Sequence, residues 1–376
     1  MATFGSLVTT ALIALLALAT WGYLVFAHGF FWLSRPELAP AAAPARIHAP
    51  RVDVVVPARD EAATIMPVIA SLLEQDYPEF SVILVDDNSS DGTAERAGRA
   101  ARLEVIRGRA KPPDWSGKMW ALSQGVAAGA APLLLFTDAD IVHDPRHLTA
   151  LVARLEDPRL DMASEMVRLN CESLAERALV PAFVYFFQML YPFSRVNDAS
   201  SRIAAAAGGT VLIRREMLER IGGIEAIRGA LIDDVSLARA VKRAGGKIFL
   251  GHSGLAASVR PYPHFLDIWR MIARTAFTQL RYSGAMLAAT IAGLALVWLA
   301  PPLLALLARG WPQACGAAAC ALAAASYLPT LSRYGRSPLW ALALPLIALF
   351  YMVATVGSAV DRWRGTGARW KSRSYG

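Results

Sequence analysis

Residues 80–92 read FSVILVDDNSSDG. An apolar, β-branched run with no polar alternation fits a strand buried on both faces. The Asp, Asn, Ser and Gly that follow it are turn residues. The same form stands upstream in 52–61, VDVVVPARDE, where Pro57 ends the run, and downstream in 133–140, LLLFTDAD. Between these strands, 62–75 carries Ile65, Ile69, Leu72 and Leu73 at helical spacing, 93–102 and 117–130 read as further helices, and 103–108, LEVIRG, as a short strand. Fully apolar strands alternating with helices predict a parallel sheet covered on both faces, with any ligand at the carboxyl ends of its strands. On that rim the sequence puts Asp60 and Glu61 after the first strand, Asp86 and Asp87 at the end of the second, and Asp138 and Asp140 after the later one.

A rim crowded with carboxylates is costly unless cations or hydrogen-bond donors face it. Asp138 and Asp140, two apart on an extended turn, can aim at one point and suit a hard divalent ion such as Mg2+ or Mn2+ that bridges to phosphates. A single pair of this kind is ordinary turn chemistry, so its weight comes from agreement with Glu61, Asp87 and the strand order. Lys118, beside Gly117 in GKMWALSQG, could bring an ammonium to a diphosphate or be an exposed lysine at a helix start. The preceding 111–118, KPPDWSGK, reads as a flap. Gly208 and Gly209 precede a short strand and permit close approach. Asp233 and Asp234 open an amphipathic helix with Leu237 and Val241 on one face. They suit the helix dipole, and a carboxylate there is also placed to act as a general base.

The chain has 376 residues, of which 55% are hydrophobic and 18% charged, with a mean hydropathy of +0.38. Part of it is expected to sit in lipid. Residues 5–27 are uncharged and long enough to cross roughly 30 Å of hydrocarbon. No Lys or Arg precedes them and bulky aromatics follow, which favours an uncleaved anchor over a signal peptide. Further candidates lie at 285–308, 313–331 and 338–360. The net charge of +8 gathers beside these segments, as in the tail DRWRGTGARWKSRSYG, and is read as contact with anionic lipid headgroups, not nucleic acid. Cys171, Cys315 and Cys320 have no metal-ligand spacing. If the tail and the middle domain share one side, the C-terminal block crosses an even number of times. One of the three candidates, the Ala-rich 313–331 being the weakest, is therefore expected to lie in the interface or be re-entrant. The aromatic stretch 180–193, VPAFVYFFQMLYPF, reads either as interfacial or as core.

Taken in order, VVPARDE, LVDDNSSDGT, GKMWALSQG, TDAD, GGTVLIRREMLERIGG and IDDVSLARAVKR resemble the family 2 glycosyltransferases over about residues 50–285. The stretches 166–198, 226–234 and 260–283, with the four apolar blocks, are similar to the hopene-associated glycosyltransferases encoded with hopanoid biosynthesis genes in bacteria. The resemblance implies an α/β GT-A domain, a Rossmann-like nucleotide-sugar-binding fold, at 51–284. It is flanked by an anchor at 1–30, a linker at 31–50, C-terminal transmembrane helices at 285–360 and a basic cytoplasmic tail at 361–376.

The resemblance also implies roles. Pro57 and Glu61 would border the nucleotide, Asp87 would contact the base with Asp86 supporting that turn, and Lys118 would lie near the donor diphosphate. Asp138 and Asp140 match the metal-binding acids, Asp140 being the direct ligand of Mg2+ or Mn2+, and Asp234 matches the catalytic base. Asp233 stands where the family often has Glu. TQLRYS, with Gln279 and Arg281, departs from the QxxRW motif of processive members by one residue and by Tyr for Trp, which favours transfer of one sugar to a lipid. The expected enzyme is an inverting transferase at the bacterial inner membrane with its domain facing the cytoplasm. It would use a nucleotide-sugar donor, a UDP-sugar foremost, and a lipid acceptor. A processive polysaccharide synthase and a non-catalytic scaffold with a degenerate nucleotide-binding fold are the rival readings.

Overall fold

A computed structural model describes residues 4–42, 49–156, 160–365, 369–370 and 373–374. Part of the linker, 43–48, and the tail residues 366–368, 371–372 and 375–376 lie outside the described residues.

The domain is built on one sheet of eight strands: β1 Val52–Ala58, β2 Phe80–Asp86, β3 Leu103–Arg107, β4 Leu133–Thr137, β5 Ile141–His143, β6 Met162–Arg168, β7 Thr210–Arg214 and β8 Ile248–Ser258. Their order is β3-β2-β1-β4-β7-β6-β8-β5. From β3 to β4 all neighbours are parallel. Beyond β4 the sheet is mixed, with β7 antiparallel to β4 and to β6, and β5 antiparallel to β8. The expectation of a parallel sheet is thus corrected: β7 and β5 run antiparallel to their neighbours and make the far half mixed, while β6 and β8 pair parallel.

Burial explains the apolar runs. Successive residues of β1 and β2 alternate between two cores: Val55, Ile83 and Val85 face one, Val54, Val82 and Leu84 the other. A strand covered on both faces needs apolar residues at every position. Pro57 is tolerated because β4 pairs with β1 only over Val52–Val55, so no ladder bond on that side needs a proline N–H. Asp53, buried within β1, is satisfied by Ser81 Oγ at 2.8 Å and the amide of Ala131 at 2.7 Å. The helix Gly117–Ala128 lies close on β1, where Gly125 leaves room for Val55.

By length and composition, four described helices could cross a membrane: Leu7–Phe26, Gly284–Leu307, Trp311–Arg333 and Pro338–Trp363. Within the second, residues Ala295–Leu299 form a π-helical turn. Such a turn loosens the regular ladder, and here Val297 O accepts a hydrogen bond from Trp21 Nε1 of the first helix at 2.8 Å. The fourth helix follows Tyr334, which contacts the backbone of Leu169 at the exit of β6. Near its end, Ser358 Oγ accepts from Phe277 N at 3.1 Å.

The helix Leu174–Leu190, containing most of the aromatic stretch, is buried between the sheet domain and these helices. Tyr185 packs on Trp298 and Tyr327, and its hydroxyl meets Ser326 Oγ at 2.7 Å. Residues read as linker are partly docked: the amide of Leu38 donates to His252 O, and that of His252 to Pro36 O, both at 2.8 Å.

Candidate active site

Four elements converge on a cavity of about 510 Å3 at the carboxyl ends of β1 and β4. β1 and its turn bring Pro57 and Glu61, the turn after β4 brings Asp138 and Asp140, and the first turn of the helix Asp233–Arg243 brings Asp233. The fourth, the helix Gly117–Ala128, starts on Ser116, whose side chain accepts from Met119 N. It presents Ser116 and Lys118 to the same cavity. Its N-terminus is the positive end of the helix dipole.

Lys118 joins two of these pieces. Its Nζ is 2.8 Å from Asp138 Oδ1 and 2.9 Å from Asp233 Oδ2. Burial alone would lower the lysine pKa, but the Asp138 and Asp233 carboxylates outweigh it and push it up, so Lys118 is a fixed cation. Asp138 is raised chiefly by burial, against the pull of Lys118. Asp234, the next residue, is pushed up to about 7, first by burial and then by the Asp233 carboxylate. It lies behind the main cavity, in a recess of about 20 Å3 shared with Lys118, Asp138 and Gly208. A Cβ added to Gly208 would stand 3.3 Å from Asp234 Oδ2. The glycine anticipated as a close-approach residue thus approaches this carboxylate.

Arg260 is the second cation of the cavity and was not singled out by the sequence. Its Nε is 2.5 Å from Asp140 Oδ2 and its Nη2 is 2.6 Å from Glu61 Oε1. Pairing of β5 with β8, with Ile141 opposite Ser258, brings Arg260 there, and Val259 N donates to Asp140 O at 2.8 Å. The chain beyond it is fixed by a capping box at Ser173 and Glu176, whose Oε1 accepts from Tyr262 N at 2.6 Å. That box, S-x-x-E before an apolar run, is legible as a helix start. Its role in holding the Arg260 segment is not.

The turn after β2 is placed otherwise. Asp86 O accepts from the amides of Asn88 and Gly108, both at 2.8 Å. Asp87 is fully buried, its carboxylate 3.8 Å from Arg59 Nη1. Neither lines the cavity. Asp60 ties the two turns together by accepting from Ser90 N at 2.9 Å. Gln279 and Arg281 also lie off this cavity, in a neighbouring one.

Among the described residues no three His, Cys, Asp or Glu side chains converge closely enough to enclose a metal by themselves. The donor set still suits one kind of ion. Glu61, Asp138, Asp140, Asp233 and Asp267 line the cavity with Lys118, Arg260, Arg270 and Arg274, five carboxylates to four cations, and Asp267 is taken up by Arg270 at 3.7 Å. Mg2+ and Mn2+ accept one or two protein carboxylates and complete their shells with water and phosphate.

Residues 53–222 match the sequence model of the family described as Glycosyl transferase family 2. The chain is similar to the glycosyltransferase AglD of Haloferax volcanii, at 35% identity over 138 residues, covering 35% of this chain and 22% of that protein. It is also similar to the probable glycosyltransferase YdaM of Bacillus subtilis, at 26% identity over 203 residues, covering 52% and 47% of the two chains. The matched portion is less than half of either relative. Among solved structures it resembles the mannosyltransferase PcManGT from Pyrobaculum calidifontis, solved in complex with GDP-Man and Mn2+, with TM-score 0.56, 22% identity and coverage of 97% and 99%. Identity at that level speaks for the fold.

Proposed function

We propose that the chain, whose residues 53–222 match the glycosyl transferase family 2 model and whose fold resembles a solved mannosyltransferase, is a membrane-bound inverting glycosyltransferase. It moves a sugar from a nucleotide-sugar donor, a UDP-sugar foremost, to a lipid acceptor. The observation that carries this reading is the Lys118 bridge. One ammonium connects the acidic turn after β4 with Asp233 at the start of the helix that also bears Asp234, so charge control lies beside the recess that holds the base candidate.

In this reading the donor diphosphate lies between the Gly117–Ala128 helix start and Asp138 and Asp140, with Pro57 and Glu61 bordering the nucleotide. Asp86 and Asp87 hold the turn beside it. The acceptor oxygen forms a bond to the anomeric carbon as the bond from that carbon to the diphosphate breaks, and the electron pair leaves with the nucleoside diphosphate. Asp234 takes the acceptor proton. Lys118 and the amide end of its helix offset charge on the leaving diphosphate. A bound Mg2+ or Mn2+, held by Asp140 with Asp138 beside it, would supply Lewis-acid charge neutralisation there.

The apolar helices support a membrane location, and the sequence resemblance supports a place in hopanoid (hopene-derived lipid) biosynthesis at the cytoplasmic face of the bacterial inner membrane. The test is incubation of the purified full-length protein with Mg2+ or Mn2+, a panel of labelled nucleotide sugars and extracted bacterial lipid. Label is expected in the lipid phase with the wild type and not with Asp234→Asn. Polymeric product, or no label in lipid from any donor, would sink the reading.

A further inference from the structure

A second cavity, of about 1110 Å3, adjoins the first, and the two share Ser116, Ala230 and Leu231. Their charges differ in kind. In the first, five carboxylates face four cations, Lys118, Arg260, Arg270 and Arg274; the second carries Lys111, Arg239 and Arg281 against one carboxylate, Asp114. Lys111 Nζ donates to the carbonyls of Pro112 at 2.8 Å and Pro113 at 3.3 Å, which fixes the ammonium without neutralising it. Among the described residues neither Arg239 nor Arg281 has a carboxylate partner. Three cations against one carboxylate around an open chamber suit an anion.

The backbone points the same way. Arg281 and Tyr282 are consecutive non-glycine residues in the left-handed region, at φ 52° and 57°. Such a conformation persists only where its surroundings over-determine it. Here Arg281 N donates to Thr278 O at 2.9 Å, Tyr282 N to Phe277 O at 3.1 Å, and the Arg362 guanidinium covers the Tyr282 ring at 4.8 Å. The turn sets Arg281 in the chamber wall beside Tyr282 and Met286.

Those last two residues decide what kind of anion. Met286 lies in the first turn of the apolar segment Gly284–Leu307, and it and Tyr282 are 44% and 43% exposed. A ligand whose head fills the chamber has an apolar helix leading away from it. A soluble anion would have no use for that wall.

We propose that this chamber binds the phosphate-bearing head of a lipid acceptor, with Lys111, Arg239 and Arg281 facing the phosphate and the tail lying along Gly284–Leu307. The inference rests on the reading of the chain as a glycosyltransferase acting on lipid. It narrows the acceptor to a lipid whose head carries a phosphate. Arginine forks and a lysine point charge together match a phosphate better than a neutral hydroxyl cluster.

The test uses the full-length protein in nanodiscs of phosphatidylcholine. Binding of a short-chain isoprenyl monophosphate, the matching isoprenol and inorganic phosphate is measured for wild type, Arg239→Gln and Lys111→Gln. The isoprenyl phosphate is expected to bind at least tenfold more tightly than the isoprenol. Either variant should weaken it at least fivefold while nucleoside diphosphate affinity stays within twofold. Equal binding of the isoprenol, no lipid binding, or no effect of the variants overturns the proposal. So does inorganic phosphate competing as well as the lipid, which would mark a soluble-anion site. Nucleoside diphosphate binding in the same samples separates the two claims. Its absence with lipid-phosphate binding intact would remove the transferase reading, and the converse result would remove the chamber alone.

Discussion

Arg260 holds Asp140 by a contact of 2.5 Å from Nε to Oδ2, while its Nη2 reaches Glu61 at 2.6 Å. One guanidinium from the end of β8 therefore ties the turn after β4 to the turn after β1. Removing it leaves two carboxylates facing each other. Arg260→Gln is expected to cost about 1–2 kcal/mol, less than the ~3–5 kcal/mol of a fully buried pair because its side chain is 30% exposed. Millimolar Mg2+ should raise the Tm of the variant more than that of the wild type, since a cation replaces the lost charge. Equal Mg2+ shifts in the two proteins would count against Asp140 as a metal ligand.

Asp234 links activity and stability to pH. Its carboxyl is raised from 3.8 to about 7, first by burial and then by Asp233. Between these values the folded chain keeps a proton that the unfolded chain has lost. Stability from this group is therefore full below the unfolded value and falls as pH rises towards 7. The base form appears over the same interval, so kcat should climb through pH 7. Asp234→Asn is expected to lower kcat by about 10^2–10^4-fold and to flatten that part of the stability-versus-pH curve. A wild-type profile already level above pH 5 would argue for a different base.

Lys118→Gln makes a sharper test of the same carboxylate. Lys118 is one of the influences that lower Asp234, against burial and Asp233. Without the ammonium, the rise in kcat with pH should move upward, and donor affinity should fall, because Asp138 and Asp233 lose their shared cation. A loss of rate with no displacement of the pH profile would separate Lys118 from Asp234.

Gly125→Ala tests packing of the site's helix on β1. A Cβ there would lie 2.3 Å from Val55 Cγ1 and 3.1 Å from Val85 Cγ2. Alanine favours a helix by up to about 1 kcal/mol over glycine, but overpacking costs about 1–3 kcal/mol, so a net loss near 1 kcal/mol is expected in thermal melts. Gly293→Ala is the control, since a Cβ there meets nothing within 4 Å. Equal behaviour of the two variants would mean that the helix shifts freely on the sheet.

The rim was legible because its signals are local. Continuous apolar runs announce buried strands, and the acids at 61, 138 and 140 follow those strands directly. Strand direction was not legible at Thr210–Arg214, whose pairing partner β4 lies far upstream and whose Val211, Leu212 and Ile213 fit a parallel or an antiparallel neighbour alike. Arg260 was missed for the same reason: only the pairing of β5 with β8 carries it to Asp140. For 180–193, a helix apolar all round gives no sign whether lipid or protein covers it. Tyr185, enclosed by Phe31, Trp298 and Tyr327, shows that protein does.

The bond from Trp21 to Val297 O bears on how the protein can be handled in water. The first helix is stitched to the C-terminal ones by that bond and by the Trp21–Trp298 ring contact at 5.0 Å. The stretch after it continues the seam through Ser34 to Thr330 at 3.3 Å and Glu37 to Arg333 at 3.1 Å. Cutting the chain after Phe26 would leave a carbonyl without its donor and bare the aromatic faces that Trp21 now covers. A truncation meant to yield a soluble catalytic fragment would instead yield a stickier one, so detergent or nanodisc preparation of the whole chain is the workable route.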